Sequence, residues 1–263
     1  MMRNKVKKLL VSIIIVHYET YKATFDLIKS LGKSGSVEVL VMDNSSKNLL
    51  YKKLLKEKVS NVRYFHLKKN LGYAGAINAG IQQSQGEWVM VLNNDTITSI
   101  RNILRLISSA KKKGCTVAVP KLSGKNGDIQ NNIGYFDDFF THPINFLFAR
   151  PRIVNASNIK KPCLCDVATG GAILFHKSII KKIGSWDDTF FMYFEDIDFC
   201  YRLYKAQTKI LYEPSVTIKH LESLTANRNP EQKMKNYSRS RNLYIIKHRG
   251  YISKVVNDLF KIF

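Results

Sequence analysis

The sequence predicts an α/β fold in which a mostly parallel central sheet is covered by helices on both faces. Over the first 120 residues, short apolar runs alternate with amphipathic stretches of helical length. Buried parallel strands have this nearly continuous apolar pattern because both of their faces are covered. Apolar residues make up 45% of the 263 residues and charged residues 24%, which is typical of a globular protein with a full core.

Five strands and four helices are predicted before residue 121. The predicted strands are 11–16, 37–43, 62–67, 88–93 and 115–120. The predicted helices are 21–31, 49–58, one that runs through 76–83, and the basic amphipathic stretch 100–113. Helices between parallel strands are typical of sheets that bind ligands beyond the carboxyl ends of their strands.

The second half of the chain is less regular. Residues 121–165 are rich in Gly, Asn, Asp and aromatic residues, which indicates a long insertion or a region that faces the substrate. The elements predicted after it are a strand near 172–175, helices over 177–183 and from about 194, a strand near 209–212, and a helical tail from 228. We expect a main domain over 1–225, with halves at about 9–120 and 121–225, and a basic helical tail over 226–263.

The charge balance favours a polyanionic partner. Lys and Arg number 42 and Asp and Glu 20, so the formal net charge is +22. Nucleic acid, an anionic membrane surface and phosphorylated ligands all fit this excess. The apolar run 9–16 is too short to span a membrane, which takes about 20 residues. Basic residues precede this run as in a signal peptide, but no cleavage site follows it, so a buried first strand is predicted. The four cysteines are expected to be reduced thiols.

Polar clusters follow three of the predicted strands. They are His17-Tyr18-Glu19, Asp43-Asn44-Ser45-Ser46 and Asn93-Asn94-Asp95. A loop cap explains any one of them, because Asn, Asp and Ser favour turns. Three clusters at one rim of a parallel sheet indicate a ligand site.

Two further segments fit phosphate and metal binding. The small residues of NLGYAGAINAG (70–80) at a loop-to-helix junction suit a diphosphate, because free N–H groups at a helix start attract anions. A helix packed tightly on its sheet would explain this segment equally well, and it is not a Walker A loop. Asp95 supplies one carboxylate, and a divalent ion that bridges phosphates takes one or two. A turn Asp that caps the next helix is the alternative.

The segment FFMYFEDIDFCYR (190–202) is the most informative. It places Glu195, Asp196 and Asp198 in an aromatic run at a helix start, where acidic side chains are also favoured by the helix dipole. Asp198 and Arg202 have the spacing of an ion pair within a helix. Aromatic surroundings can raise a carboxyl pKa, which suits a general base. His220 is a candidate nitrogen ligand beside Asp95, although a lone His is often only packed or at the surface.

In their order and spacing, these segments resemble glycosyltransferase family 2, in the rhamnosyltransferase-like branch of cell-surface polysaccharide enzymes. The resemblance covers 11–222 and rests on seven features. They are VSIIIVHY, VMDNSS, NLGYAGAINAG, VLNNDT, ATGGAILFHKSIIKKIGSWDDTFF, YFEDIDFCYR and His220. The resemblance implies a GT-A fold with a Rossmann-like sheet. It also implies inverting transfer of a sugar from a dTDP- or UDP-sugar, with dTDP-rhamnose as one candidate, to a hydroxyl of a glycan or lipid-linked acceptor.

The resemblance also implies roles for single residues. Asp196 would be the catalytic base, with Glu195 beside it, and Asp95 and His220 would hold a magnesium or manganese ion. The donor and sugar site would contain Tyr18, Asp43, Asn44, Asn70, Gly72, Asn78, Asn94, Gly170 and Gly171. In that set, Asp43 would bind the pyrimidine base in a pocket lined by Tyr18. Asn70, Gly72 and Asn78 would lie near the ribose and diphosphate, and Gly170 and Gly171 would shape the sugar and acceptor site.

Three positions depart from the family pattern. Asn93 replaces the first Asp of the family's D-x-D motif, and His17 and Glu19 stand where this branch usually has Asn. The change at Asn93 leaves fewer carboxylates for a metal, and those at His17 and Glu19 alter the surroundings of the nucleobase. The whole interpretation requires the fold to gather Asp95, Asp196 and His220 into one crevice.

The tail has a hypothesis of its own. A helix over 251–263 places apolar residues on one stripe, with Lys254 and Lys261 beside it. The stripe is Ile252, Val255, Val256, Leu259, Phe260 and Phe263. Such a helix can lie on an anionic membrane, which predicts a cytoplasmic enzyme at the inner face of the membrane, near a lipid-linked acceptor. Packing on the domain, or on a second subunit of a homo-oligomer, is the alternative.

Two other functions compete with glycosyl transfer. A sugar nucleotidyltransferase would share the fold class and a metal, but no Gly-rich loop with Lys or Arg occurs near the N-terminus. A nucleic-acid-binding protein would explain the net charge of +22. However, the basic residues are spread over the chain and no motif of the usual modules occurs. We therefore expect no nucleic-acid partner.

Overall fold

The computed structural model describes residues 9–59, 61–138, 140, 142–221 and 230–260. Its strands are β1 (Val11–His17), β2 (Val37–Asp43), β3 (Val62–His66), β4 (Trp88–Asn93), β5 (Thr96–Ile97), β6 (Val117–Ser123), β7 (Ile133–Phe136), β8 (Pro151–Ile153), β9 (Cys163–Cys165), β10 (Val167–Ala168), β11 (Ala172–His176) and β12 (Ile210–His220). Its α-helices are α1 (Tyr21–Leu31), α2 (Leu49–Lys56), α3 (Gly72–Gln83), α4 (Ile100–Lys112), α5 (Pro143–Leu147), α6 (Ser178–Ile183), α7 (Glu195–Lys205) and α8 (Pro230–Phe260).

The central sheet has the order β3-β2-β1-β4-β11-β6-β12-β5, and β9 pairs with β12 outside this order. Strands β3, β2, β1 and β4 are mutually parallel, and β6 is parallel to β12. Because β11 is antiparallel to both β4 and β6, all six of those strands run in one direction. The predicted α/β fold with a mostly parallel sheet is confirmed. A separate antiparallel sheet, β10-β7-β8, lies between residues 133 and 168, where no element was predicted from the sequence.

Two strands differ in extent from the prediction. The fifth predicted strand begins two residues later and continues to Ser123. The strand predicted near 209–212 continues to His220. Its register with β6 shifts between Glu213 and Thr217, and the side chains beyond the shift alternate between buried and exposed. A bulge of this kind accommodates Pro214 inside the strand. The strand continues beyond the bulge and ends at His220.

The apolar core occupies both faces of the sheet. Ile13 and Ile15 of β1 pack with residues of α1, α2 and α4 on one face. Ile14 and Val16 pack with residues of α3 and α7 on the other. This alternation explains why β1 has no polar face in sequence, since each of its side chains meets a covering layer. The four cysteines are free thiols, as expected.

Helix α8 consists of two segments that differ in burial. Gly250, at φ +84°, interrupts the helical backbone. Before it, Tyr244 and Ile245 are fully buried, and Tyr244 belongs to the same core as α3 and α7. After it, Ile252 and Leu259 are 81% and 73% exposed. The boundary predicted between 225 and 226 lies outside the described residues. In the part of the chain that the structure describes, no helix is long and apolar enough to cross a membrane.

Candidate active site

Polar side chains collect at the edge of the sheet where the strands of common direction end. Asp43 is the last residue of β2, Asn93 is the last of β4, and His220 is the last of β12. His220 also pairs with Thr96 of β5, and the amide N–H of Leu221 donates to the carbonyl oxygen of Asp95 (2.9 Å). The continuation of β12 therefore holds His220 beside the loop that carries Asp95.

His220 and Asp95 form a close pair of possible metal ligands. Nε2 of His220 lies 3.3 Å from Oδ1 of Asp95, and both residues are buried. The Gln130 amide nitrogen donates to the His220 carbonyl (3.0 Å), so its amide oxygen is the atom that faces Nδ1 of His220 (2.9 Å). This oxygen requires a proton on Nδ1, so in the neutral ring the Nε2 lone pair is directed at a carboxylate. A cation between the two groups would relieve their repulsion.

The donor set therefore fits a metal ion that takes its other ligands from a substrate. No group of three or more His, Cys, Asp or Glu side chains able to hold an ion occurs among the described residues. Magnesium commonly binds through one or two carboxylates together with substrate phosphates and water. Asp95 and His220 would supply one oxygen and one nitrogen ligand to an ion of that kind.

Two glycines connect this pair to the acidic helix α7. The N–H of Gly170 donates to Oδ2 of Asp196 (3.1 Å), and the carbonyl of Gly171 accepts from the Asn93 N–H (2.8 Å). Gly171 has φ +53°, and a Cβ atom there would lie 3.2 Å from Cγ of His220. Asp95, Asp196 and His220, which are far apart in sequence, are thus linked through one short turn.

The neighbouring carboxyls Glu195 and Asp196 have different surroundings. Burial raises the pKa of both groups, and the Asp196 charge further raises that of Glu195, well above its usual range. Oε2 of Glu195 has no hydrogen-bond partner among the described residues. Asp196 accepts N–H bonds from Gly170 (3.1 Å) and Ile197 (2.8 Å), which favour its ionised form. The two carboxyls therefore differ: Asp196 has N–H donors that favour its ionised form, whereas burial and the neighbouring Asp196 charge disfavour ionisation of Glu195.

Tyr73 lies among these acids and was not predicted as a site residue. Its hydroxyl donates to Oδ1 of Asn93 (2.5 Å). Burial, and then the charges of Glu195, Asp196 and Asp95, raise its pKa well above the usual range. The only signal in the sequence was a single phenol within the small-residue segment 70–80. Gln130 had no signal, because it lies in a stretch without a recognisable pattern.

The residues predicted to bind the pyrimidine base of the donor lie at the ends of β1 and β2. Tyr18 is 39% exposed, whereas Asp43 is fully buried. One Asp43 oxygen accepts from the Ser45 N–H (2.7 Å), and the other accepts a very short bond from the Tyr64 hydroxyl. A direct contact between Asp43 and a base would require one of these bonds to be exchanged.

Gly72 and two predicted Asn residues build the loop before α3. Asn44 donates to the Gly72 carbonyl (2.9 Å), and the Asn70 amide oxygen accepts from the Gly72 N–H (2.9 Å). Gly72 has φ +73°, and a Cβ atom there would lie 2.5 Å from the Phe191 carbonyl oxygen. Only glycine fits this close approach, so the loop packs directly against the segment that precedes α7.

The remaining predicted Asn residues join elements of the fold. Asn78 donates to the Trp186 carbonyl (2.7 Å) and accepts from the Trp186 N–H (3.1 Å), so its amide is fully engaged. Asn94 donates to the Thr20 hydroxyl (2.5 Å). A depression of about 500 Å³ lies beside α3, with Asn70, Asn78 and Phe191 in its lining.

A buried ion cluster lies one turn beyond Glu195. Asp198 is fully buried and contacts Arg202 (2.8 Å), Lys247 (2.5 Å) and His248 (2.8 Å). Burial opposes its charge, but the His248 hydrogen bond and the Arg202 and Lys247 charges outweigh that effect and lower the pKa of Asp198 to about 2. Lys247 also contacts Asp187 (2.7 Å), so α8 is tied to α7 and to the 187–191 loop.

Comparison with known proteins gives consistent results. The model of the family described as Glycosyl transferase family 2 matches residues 12–184. The low-salt glycan biosynthesis hexosyltransferase Agl10 of Haloferax volcanii is 29% identical over 195 residues, which are 73% of this chain and 60% of that protein. The N-acetylglucosaminyl-diphospho-decaprenol L-rhamnosyltransferase of Mycobacterium tuberculosis is 24% identical over 256 residues, which are 89% of this chain and 82% of that one.

Solved structures share the fold. A crystal structure of GalNAc-T7 with UDP, GalNAc and Mn2+ has a TM-score of 0.69 and 17% identity, and the match covers 91% of this chain and 48% of that one. A structure of S. aureus TarS 1-349 has a TM-score of 0.58 and 16% identity over 90% of this chain and 66% of that one. The chain thus spans less than two thirds of Agl10 and about half of GalNAc-T7.

We predict that Asp198→Asn lowers the free energy of unfolding by about 3–5 kcal/mol at pH 7, because it leaves Arg202 and Lys247 without their buried counter-charge. The folded-state pKa is about 2 and the ordinary value is 3.8. Because this pKa is depressed, the contribution is full above about pH 5 and is lost as the pH falls from about 4 to 2. The stability difference between the two proteins should therefore shrink by about 2–3 kcal/mol over that interval, which is the value of this pKa shift.

Urea denaturation from pH 7 to pH 2 measures this effect. Asp258→Asn, which removes an exposed contact with Lys254 (2.7 Å), is the matched control and should change stability little. Equal effects of the two substitutions, or a constant difference between Asp198→Asn and the wild type down to pH 2, would contradict the assignment.

Proposed function

Because the chain belongs to glycosyl transferase family 2, we propose that it transfers a sugar from a nucleotide-diphosphate donor to an acceptor hydroxyl with inversion. The observation that carries this proposal is the link from Asp196 through Gly170 and Gly171 to His220 and Asp95. It joins a charged, partly buried carboxylate to a pair of metal ligands. Such an arrangement can activate a hydroxyl at one end and hold a diphosphate at the other.

In the proposed reaction, Asp196 is the general base. Its carboxylate accepts the proton of the acceptor hydroxyl while that oxygen forms a bond to the anomeric carbon. The bond between this carbon and the diphosphate oxygen breaks on the opposite face, which inverts the configuration. A base with a raised pKa suits this step, since proton transfer is most effective when the pKa lies near the working pH. Burial and the neighbouring Asp196 charge raise the pKa of Glu195, which disfavours a second negative charge beside the base.

Asp95 and His220 would hold a magnesium or manganese ion. The ion supplies a Lewis acid that offsets the charge on the diphosphate as it leaves. Tyr73 and Asn93 border the same space, since the Tyr73 hydroxyl donates to Asn93 (2.5 Å). The ion of the GalNAc-T7 crystal structure, Mn2+, supports a divalent cation.

The donor nucleotide is proposed to lie along the ends of β1, β2 and β4. Tyr18 lines the base pocket, and Asp43 contacts the base by exchanging one of its present bonds. The loop built by Asn44, Asn70 and Gly72 would border the ribose and diphosphate. Asn78 and Asn94 would stabilise the neighbouring elements through their bonds to Trp186 and Thr20. Gly170 and Gly171 shape the sugar and acceptor site. The donor is a dTDP- or UDP-sugar, and the mycobacterial rhamnosyltransferase supports dTDP-rhamnose as the first to test.

The acceptor is proposed to be a glycan or a lipid-linked saccharide in cell-surface polysaccharide synthesis. The mycobacterial relative is named for a decaprenol-linked acceptor. Beyond Gly250, exposed Ile252 and Leu259 lie near Lys254, as in a helix that rests on a membrane. We propose that this segment binds anionic lipid at the cytoplasmic face. Self-association through it is the alternative outcome of the test below.

The first prediction concerns the base. Asp196→Asn should lower kcat about 10²–10⁴-fold, the usual share of general-base catalysis, with the donor Kd unchanged. Transfer from dTDP-rhamnose and UDP-sugars, with manganese, measures kcat, and calorimetry measures the Kd. Glu57→Gln, which removes an exposed partner of Lys53 (2.9 Å) away from the site, should leave both unchanged. Undiminished turnover in Asp196→Asn would remove Asp196 from this role.

The second prediction concerns the metal. Asp95→Ala should abolish the manganese-dependent part of dTDP or UDP binding, because it removes the carboxylate of the pair. Titration calorimetry with and without manganese separates this part from binding of the nucleotide alone. Asp26→Ala, which removes an exposed partner of Lys22 (2.8 Å), is the control. The same manganese effect in Asp95→Ala and in the wild type would exclude Asp95 as a ligand.

The third prediction concerns the tail. The double variant Ile252→Ser, Leu259→Ser should no longer sediment with phosphatidylglycerol vesicles, because it removes two exposed apolar side chains from the segment. The wild type should sediment with these vesicles and not with phosphatidylcholine. Leu55→Ser, at an exposed apolar residue of α2 (59%), is the control. Undiminished sedimentation of the double variant, or a change only in oligomeric state, would contradict membrane binding through this segment.

A further inference from the structure

The acidic pair follows a turn with an unfavourable backbone. Tyr193 and Phe194, immediately before Glu195, have φ of +69° and +65°. Residues with a Cβ atom rarely adopt this left-handed conformation, because the Cβ atom comes too close to the following carbonyl oxygen. Two such residues in succession persist only where the surrounding structure holds them. The direction in which α7 begins, and with it the position of Asp196, depends on what holds this turn.

The first segment of α8 supplies those contacts. The Ser240 hydroxyl donates to the carbonyl of Met192 (2.8 Å), the residue before the turn. The Tyr237 ring lies 5.9 Å from the ring of Tyr193 and 5.2 Å from that of Phe194. These distances are typical of favourable aromatic pairs.

A second aromatic contact comes from deeper in the core. The Tyr244 ring lies 5.5 Å from the Phe194 ring, and its hydroxyl donates to the Ala149 carbonyl (2.8 Å). Tyr244 is therefore anchored on one side and packs on the turn with the other. Tyr244 is fully buried, so it fixes the distance between α8 and the turn.

The same helix also holds the far side of the acidic pair. Lys247 and His248 contact Asp198 at 2.5 and 2.8 Å, two residues after Asp196. Residues 237–248 therefore contact the chain on both flanks of Glu195 and Asp196. The contacts described for α8 include none to Asp196 itself, so any effect on it is indirect.

We infer that residues 230–249 are a positioning element for the acidic pair, with Tyr237 and Ser240 as its positioning residues. This inference rests on the proposed function, because it assigns the positioned group, Asp196, as the base. Tyr237 and Ser240 keep the 193–194 turn in its left-handed conformation, which directs the Asp196 carboxylate toward the Gly170 N–H. Loosening the turn changes the distance between base and acceptor without changing donor binding.

The test uses the full chain with Tyr237→Ala and Ser240→Ala. Each should lower kcat about 10–100-fold, because misplacing a catalytic group by about 1 Å has an effect of that size. The donor KM should stay within about twofold. Tyr237→Phe keeps the ring and should retain wild-type kcat. Met234→Ala, 61% exposed on the same helix, is the matched control. Wild-type kcat in both variants, or donor KM rising in step with the loss of kcat, would overturn the inference.

Hydrogen exchange provides a readout that does not depend on activity. In Tyr237→Ala and Ser240→Ala, amides 192–197 should exchange faster, while those of β1 stay as protected as in the wild type. Unchanged exchange at 192–197, or equally faster exchange in β1, would overturn the inference. Faster exchange at 192–197 in a protein that transfers no sugar from any donor tested would instead refute the proposed function.

Discussion

The hydrogen bond from the Gly170 N–H to Asp196 is the interaction on which the site depends. It joins the start of α7 to the turn that precedes β11. Gly170 and Gly171 both have positive φ, so the chain turns sharply enough to face the acid with one residue and His220 with the next. A side chain at Gly171 would meet the His220 ring. The absence of side chains at these two positions allows the Asp196 carboxylate and the Asp95–His220 pair to approach the same turn.

The three carboxyl groups of the candidate site have different electrostatic surroundings. The chain has a net charge of +22, yet the candidate site is acidic, because Asp95, Glu195 and Asp196 lie around Tyr73. Burial would make three ionised carboxylates unfavourable. Oε2 of Glu195 has no hydrogen-bond partner among the described residues, which disfavours the ionised form of this group, whereas Asp196 has two N–H donors that favour its charge. The third carboxylate, Asp95, faces Nε2 of His220 at 3.3 Å.

The order of elements and the polar rim could be predicted from the sequence, because both are local patterns. Helices α1 and α4 and strands β2 and β4 occur where apolar periodicity placed them, within one residue. The reversed direction of β11 could not be predicted, since an apolar run has the same appearance in either orientation. Gln130 was missed because its importance lies in a contact with His220, 90 residues away. Asn78 was expected near the donor, but its amide forms two bonds to Trp186 that no local pattern reveals.

The sequence alone determined the fold class, the family resemblance and the chemical types available at the rim, because these follow from periodicity and from short motifs. Only the tertiary structure decided which of those groups meet. It placed His220 against Asp95 by extending β12 through a bulge, and it set the tautomer of His220 through Gln130. It also divided the tail into a buried segment that packs on the turn before Glu195 and an exposed segment beyond Gly250. Each of these depends on contacts between residues far apart in the chain, which packing and hydrogen bonding determine and local sequence does not encode.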